Sequence, residues 1–194
     1  MNPRVATADV RLAPFAHATY AAPLPKDLCE AALSWMETTA PWRLRIADFY
    51  EQWELHLEPD ALPEALRPLL ADETIEHLVG LMFAPFEPAE LELTEVTAHK
   101  LLPGQTIRVH NDYLAEGESH RLLVQLNRGW DDDQGGLLML FGSSSPEDLR
   151  RMLRPTHRSA MAFAISPQSF HAVSTIQRGE RYTLVYSFKV RATA

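Results

Sequence analysis

The chain has 194 residues, 46% hydrophobic and 23% charged, the proportions of a soluble globular protein with room for one sizeable core. Its formal net charge of −8 excludes a phosphate backbone as the main partner, so no nucleic acid is expected, and it disfavours an anionic membrane surface. Cys29 is the single cysteine, so no intramolecular disulfide forms; no apolar run reaches signal-peptide or membrane-spanning length, and a cytoplasmic protein is expected.

Residues 1–10 read as a loose arm and 13–21 as a short strand. Pro25 opens a helix with Leu24, Leu28, Ala32 and Trp35 at helical spacing, and Pro41 ends it. Cys29 lies on that helix, where a buried thiol is expected rather than a nucleophile. The run FYEQWELHL at 49–57 alternates as a strand does. From Leu62 to Phe83 the spacing predicts one or two helices, with a core stripe of Leu66, Leu69, Leu70, Ile75, Leu78, Val79 and Met82. Pro85 and Pro88 mark the passage to an all-β half.

Short strands are predicted at 91–101, 106–112, 120–127, 137–141, 160–165, 171–176 and 181–190. The insertion SSSPEDLRRML predicts a short helix, with Ser145 as N-cap, Pro146 as first residue and Asp148 as capping-box partner. The Asp131–Asp133 run reads as a solvated turn. The expected fold class is α+β: one domain over 1–194, with a helical N-terminal support (1–90) packed on one sheet of a jelly-roll core (91–190).

The chemistry sits in that β half. His110 and Asp112, in IRVHNDY, form an H-x-D pattern, and a strand sends such alternate side chains to one face. His171, in SFHAV, opens a second strand-like run and is the candidate third ligand. Two imidazoles and one carboxylate suit Fe(II) and leave coordination positions open for a chelating 2-oxoglutarate and for dioxygen. Arg181, Thr183, Val185 and Ser187 share one face of the last strand; Tyr182, Leu184, Tyr186 and Phe188 share the other, which is expected to pack on helices. An inward Arg181 needs an anion: the distal carboxylate of 2-oxoglutarate, assisted by the Thr183 hydroxyl, or an acidic side chain elsewhere in the chain. Arg108 and Arg121 are candidate cations at the substrate mouth, with solvated surface arginines as the alternative. The segments Leu114–Ser119 and Gly142–Pro146, short and polar, are expected to frame that mouth.

The runs AHKLLPGQTIRVHND, HRLLVQLNRGWDDDQGGLLMLF, RPTHRSAMAFAIS and FHAVSTIQRGERYTLVYSF, over roughly 91–190, resemble the prolyl-hydroxylase-like branch of the Fe(II)/2-oxoglutarate dioxygenases. The resemblance implies a double-stranded β-helix, iron on His110, Asp112 and His171, and the distal carboxylate of 2-oxoglutarate on Arg181. Where some relatives place a cosubstrate-contacting Tyr before the LN pair, this chain has Gln125, and Lys100 is read as replacing another upstream of the H-x-D. Related halogenases lack the ligand carboxylate; Asp112 therefore favours a hydroxylase, with ascorbate as an accessory reductant. The wording of PGQ-to-HNDY and ESHRLLVQLNRGW is also similar to oxygenases associated with ribosomally made, modified peptides.

The expected activity is hydroxylation of an unactivated C–H of an amino-acid side chain, within a peptide, with release of succinate and CO2, by a monomer or homodimer. Hydroxylation of a free amino acid or other small metabolite is the alternative. A non-catalytic metal- or anion-binding jelly roll and a cupin-like enzyme without 2-oxoglutarate are weighed against it, and Arg181 with Thr183 speaks against both.

Overall fold

Alternating inward and outward residues build a curled antiparallel sheet, with helices covering one outer face. The computed structural model describes residues 8–82, 86, 90–115 and 117–191. In chain order the elements are β1 (Asp9–Arg11), β2 (His17–Ala21), α1 (Lys26–Thr38), β3 (Arg43–Ala47), β4 (Tyr50–His56), a 3-10 helix (Glu64–Leu70), α2 (Asp72–Met82), β5 (Leu91–Leu101), β6 (Ile107–His110), β7 (His120–Gln125), a short 3-10 turn (Asp132–Gln134), β8 (Leu138–Phe141), β9 (Leu149–Leu153), β10 (Ser159–Ala164), β11 (His171–Val173) and β12 (Arg181–Val190). The strands run β1-β2-β10-β7-β12-β5-β4-β6-β11-β8-β9, with β3 paired to β4. This is the double-stranded β-helix expected from the sequence.

The two faces of β12 go to two different environments. Tyr182, Leu184, Tyr186 and Phe188 join a core cluster with Cys29, Leu33 and Met36 of α1 and with Leu66, Leu69 and Leu78 of the helical segment that follows. Val185 joins a second cluster inside the roll, with Leu101, Leu123, Leu138, Leu140 and Phe163. The buried stripe of α1 is Cys29, Ala32, Leu33 and Met36; Leu28 and Trp35 flank it, half-buried. The Met82 side chain, Phe83, Pro85 and Pro88 lie outside the described residues, as do residues 1–7 of the expected N-terminal arm.

Three expectations are corrected. Residues 143–153 form no helix: Leu149–Leu153 is an edge strand on β8, and Ser145 holds only a turn, accepting Asp148 N–H at 3.1 Å. Pairing with a neighbouring strand outweighs a local capping pattern in a segment this short. Beside the expected strands at 13–21 and 49–57 the N-terminal support carries two more, β1 and β3; β1 and β2 extend the sheet on β10 and the β3–β4 hairpin extends it on β5. Finally, β6 ends at His110, so Asp112 lies in the loop beyond the strand. Among the described residues no helix is long and apolar enough to cross a membrane.

Candidate active site

A cleft of about 400 Å³ opens between the inner face of β4, β5, β12 and β7 and the facing strands β6, β8 and β11. Register fixes what lines it. Thr183 is paired with His99 on β5 and Gln125 on β7, and His99 is in turn paired with Glu54 on β4. One row up, Val185 lies between Thr97 and Leu123; above that, Ser187 lies between Glu95 and Arg121.

His110 and His171 are cross-strand partners on β6 and β11, with ring centroids 4.3 Å apart. Asp112 curls back to them: its Oδ1 is 3.6 Å from His110 Nε2 and its Oδ2 is 3.3 Å from His171 Nε2. One ligand atom from each of the three lies within 4.8 Å of the others. Each imidazole is oriented from behind, His110 Nδ1–H donating to Arg108 O at 2.9 Å and His171 Nδ1–H to Ser169 O at 2.8 Å. Both Nε2 lone pairs are thereby left for a shared centre, the usual arrangement of metal-binding histidines. Phe49 stacks on His110, with centroids 4.3 Å apart. Asn111, between the ligands, ties the loop down: its Nδ2 donates to Pro167 O at 3.0 Å, and its Oδ1 accepts Tyr113 N–H.

Electrostatics favour a cation here. Burial alone would raise the Asp112 carboxyl, but Arg121 and the two imidazoles outweigh it and hold it well below the usual carboxylate range. Burial, with His171 beside it, pushes the His110 imidazolium down, toward the neutral form a metal ligand needs. Arg121 Nη1 is 2.7 Å from Asp112 Oδ2, an ionic contact without a well-directed hydrogen bond. Arg121 also pairs with Glu118 at 2.5 Å. The sequence placed Arg121 at the substrate mouth; in the structure it lines the cleft, committed to two carboxylates.

Arg181 is 4% exposed at the deep end of the cleft. Its Nε donates to Gly136 O at 2.9 Å and its Nη1 to Thr183 Oγ1 at 2.8 Å; Thr183 in turn donates to Gln125 Oε1 at 3.0 Å. Among the described residues it has no carboxylate partner, and burial alone pushes its guanidinium down to about 10. A buried cation left in this state calls for an anion from outside the chain. The salt-bridge alternative is thus not realised. The Gly135–Gly136 pair makes room for it. Both glycines have positive φ, and a Cβ on Gly136 would stand 2.9 Å from Arg181 Cδ and 2.7 Å from Ile176 Cδ1. Asn127, of the LN pair, clamps the start of β12 by accepting Tyr182 N–H and donating to Tyr182 O.

Two candidates fall away from the cleft. Lys100 points to the opposite face of β5, its Nζ 5.2 Å from the Trp42 ring centroid and 5.4 Å from that of Trp53. The resemblance put it at the cosubstrate; strand parity gives the inner face to His99 and Leu101, and Leu101 is the register partner of Arg181. Arg108 has an exposed side chain and contributes its carbonyl, not its guanidinium. The described residues of the Leu114–Ser119 and Gly142–Pro146 segments are not among those lining the cleft either. The β3–β4 hairpin lines it, through Arg45, Phe49 and Tyr50. Sequence reading also missed His99, which lines the cleft and whose imidazolium burial lowers to about 4; the alternation within TAHKL was the available signal.

Residues 96–189 match the model of the 2OG-Fe(II) oxygenase superfamily. In fold the chain is similar to a Pseudomonas putida prolyl-4-hydroxylase, with 23% identity over 91% of this chain and 93% of that one and a TM-score of 0.69. It is also similar to a Trichoplax adhaerens prolyl hydroxylase solved with a hypoxia inducible factor peptide, at 12% identity over 89% and 83% of the two chains and a TM-score of 0.67. A viral collagen prolyl hydroxylase from Paramecium Bursaria Chlorella virus-1, solved as a 2OG complex, matches at 13% identity over 90% and 96%, with a TM-score of 0.64. No curated protein matches the sequence. The matched segment is just under half of the chain, and the chain is prolyl-hydroxylase-like in fold. It is a 2-oxoglutarate-dependent dioxygenase, with Fe(II) and 2-oxoglutarate as its cofactors.

Proposed function

We propose that this enzyme hydroxylates an aliphatic carbon of an amino-acid side chain within a peptide. His110, Asp112 and His171 hold Fe(II), and Arg181, Thr183 and Gln125 hold 2-oxoglutarate by its distal carboxylate. The observation that carries the site assignment is the buried Arg181, without an anionic partner among the described residues, at the deep end of a cleft whose opposite wall is the triad. The donor set fits the metal: two imidazoles with Nε2 free and a carboxylate already ionised.

Fe(II) and 2-oxoglutarate supply the oxidant, and the net reaction converts 2-oxoglutarate, O2 and R–H to succinate, CO2 and R–OH. The chain's own residues bind, orient and exclude water. Arg181 neutralises the distal carboxylate and fixes which end of the cosubstrate points at the triad. Phe49, Leu123, Leu138 and Val173 line the cleft with apolar surface. The peptide reading is supported by the similar structures, a prolyl-4-hydroxylase and a prolyl hydroxylase with a bound peptide fragment. It is also supported by the cleft itself, which opens beside the β3–β4 hairpin.

The test is succinate release by purified protein with Fe(II), ascorbate and 2-oxoglutarate, alone and with peptides or free amino acids, followed by mass spectrometry for one added oxygen. Release of succinate with oxygen added to a peptide is the expected result. Oxygen added only to a free amino acid overturns the peptide reading, and no succinate under any condition overturns the site assignment.

A further inference from the structure

Beyond the triad the cleft runs sideways along the inner faces of β4 and β5, away from Arg181. This arm is walled mainly by oxygen acceptors, with the His99 imidazole set between Gln52 and Thr97. Glu54, with a side chain 13% exposed, is held in place by Gln52 Nε2 at 2.6 Å and by Arg45 Nη1 at 3.3 Å. Tyr50, whose phenol is pushed up by burial and then by Glu54, lies within electrostatic reach of both Glu54 and Asp112. Glu95 stands at the outer end, 3.3 Å from His56 Nδ1. The partners of both carboxylates sit on the rim: the Arg45 and His56 side chains are 60% and 56% exposed, and exposed pairs of this kind hold weakly.

Two buried polar atoms in the same walls have no partner. Gln52, 3% exposed, uses its amide N–H on Glu54 and leaves Oε1 unbonded; Ser187, 1% exposed, leaves Oγ unbonded. Both residues line the cleft. Ser187 is paired in register with Glu95 on one side and Arg121 on the other. Arg121 touches Asp112, so Glu95 stands two strand spacings, about 10 Å, from the metal side. A long side chain reaching past the triad ends among these acceptors.

Resting on the proposed function, we infer that the side chain taken by this site is basic: its ammonium or guanidinium head lies in the arm walled by Gln52, Tyr50 and Glu54 at one end and by Glu95 and Ser187 at the other, while a carbon of its stem faces the triad. Aromatic and carboxylate groups together are what such a head recognises. An apolar ring or chain would expel water and leave Gln52 Oε1 and Ser187 Oγ without partners. An acidic side chain would meet Glu54 and Glu95, and the guanidiniums that would offset them are committed, Arg121 to Asp112 and Glu118 and Arg181 to the cosubstrate end. The Arg121 Nε–H is also unbonded, but it lies on the triad side rather than in this arm.

The test uses peptides of one Gly-Ser sequence with a single variable centre: Lys, Arg, Met, Gln, Pro or Glu. Affinity is measured anaerobically by calorimetry on the Fe(II)–2-oxoglutarate protein, and oxygen addition is read separately in air; free lysine and arginine form a further arm. Lys or Arg peptides should bind at least tenfold more tightly than the Met peptide, and only they should gain an oxygen. Glu54→Gln and Glu95→Gln should each reduce the Lys-over-Met binding ratio at least fivefold. Met, Pro, Gln or Glu peptides binding as well as Lys and Arg, or no member of the panel binding, overturns the inference. Turnover of free lysine or arginine alone keeps the basic head and overturns the peptide. Basal succinate release in the absence of any substrate reports on the oxygenase site independently, so its loss would indict that reading and not this one.

Discussion

The two faces of β12 share ten residues of backbone and answer to opposite physics. The outer face, Tyr182 to Phe188, is packed on α1 and the helical segment behind it, and its stability comes from apolar burial. The inner face is equally buried, yet it carries a guanidinium, two hydroxyls and one valine. Burying those groups costs free energy that the fold recovers only in part, through Gly136 O, Thr183 and Gln125. One face holds the molecule together; the other is held by it in a state that a ligand completes.

The sharpest way to break this comparison is at the triad. His171→Ala should lower iron retention and succinate release by roughly a hundredfold or more while the protein stays folded, since His171 belongs to the ligand side; metal analysis and circular dichroism on the same sample check both halves. Arg181→Leu comes next. Cosubstrate binding should weaken by about 3–5 kcal/mol, while thermal stability without cosubstrate stays level or rises, because an uncompensated buried charge is removed. Anaerobic titration and a melting curve read the two effects, and a large fall in melting temperature would place Arg181 on the structural side instead. On the outer face, Leu184→Ala should cost about 3 kcal/mol of stability, measured by urea unfolding, and leave the cosubstrate affinity of the folded protein within about twofold.

Gly136→Ala sharpens the boundary between the two faces. Its Cβ meets Arg181 Cδ at 2.9 Å with φ at +63°, so the guanidinium must shift; cosubstrate affinity should fall about tenfold for a strain of about 1–3 kcal/mol. Smallest of all, Lys100→Met should change cosubstrate affinity less than about twofold and cost about 0.5–1 kcal/mol of stability through the lost contact with Trp42 and Trp53. A strong loss of cosubstrate binding in that variant would return Lys100 to the cleft.

Much of this was readable in advance because strand alternation is local. The division of β12 into Arg181-Thr183-Val185-Ser187 and Tyr182-Leu184-Tyr186-Phe188 follows from a period of two, and the structure keeps it. Lys100 was assigned through the resemblance instead, and the same period of two gives the inner face to its neighbours His99 and Leu101. The segment at 143–153 failed for another reason: its capping pattern is local, whereas the β8 edge that captures it is not.

By itself the sequence determined the residue types and their spacing: an H-x-D pair, a distant histidine, an arginine ten positions beyond it, and glycines where a Cβ would not fit. Those are set by covalent order and by the steric demands of single positions. Tertiary structure alone decided which side chains share a space. It bent Asp112 out of its strand to meet His171, committed Arg121 to that carboxylate, withdrew Arg108 and Lys100, and laid Glu54, Glu95 and Ser187 along one wall. The reason is that register between strands far apart in sequence is chosen by the packing of the whole sheet, and no local pattern carries it.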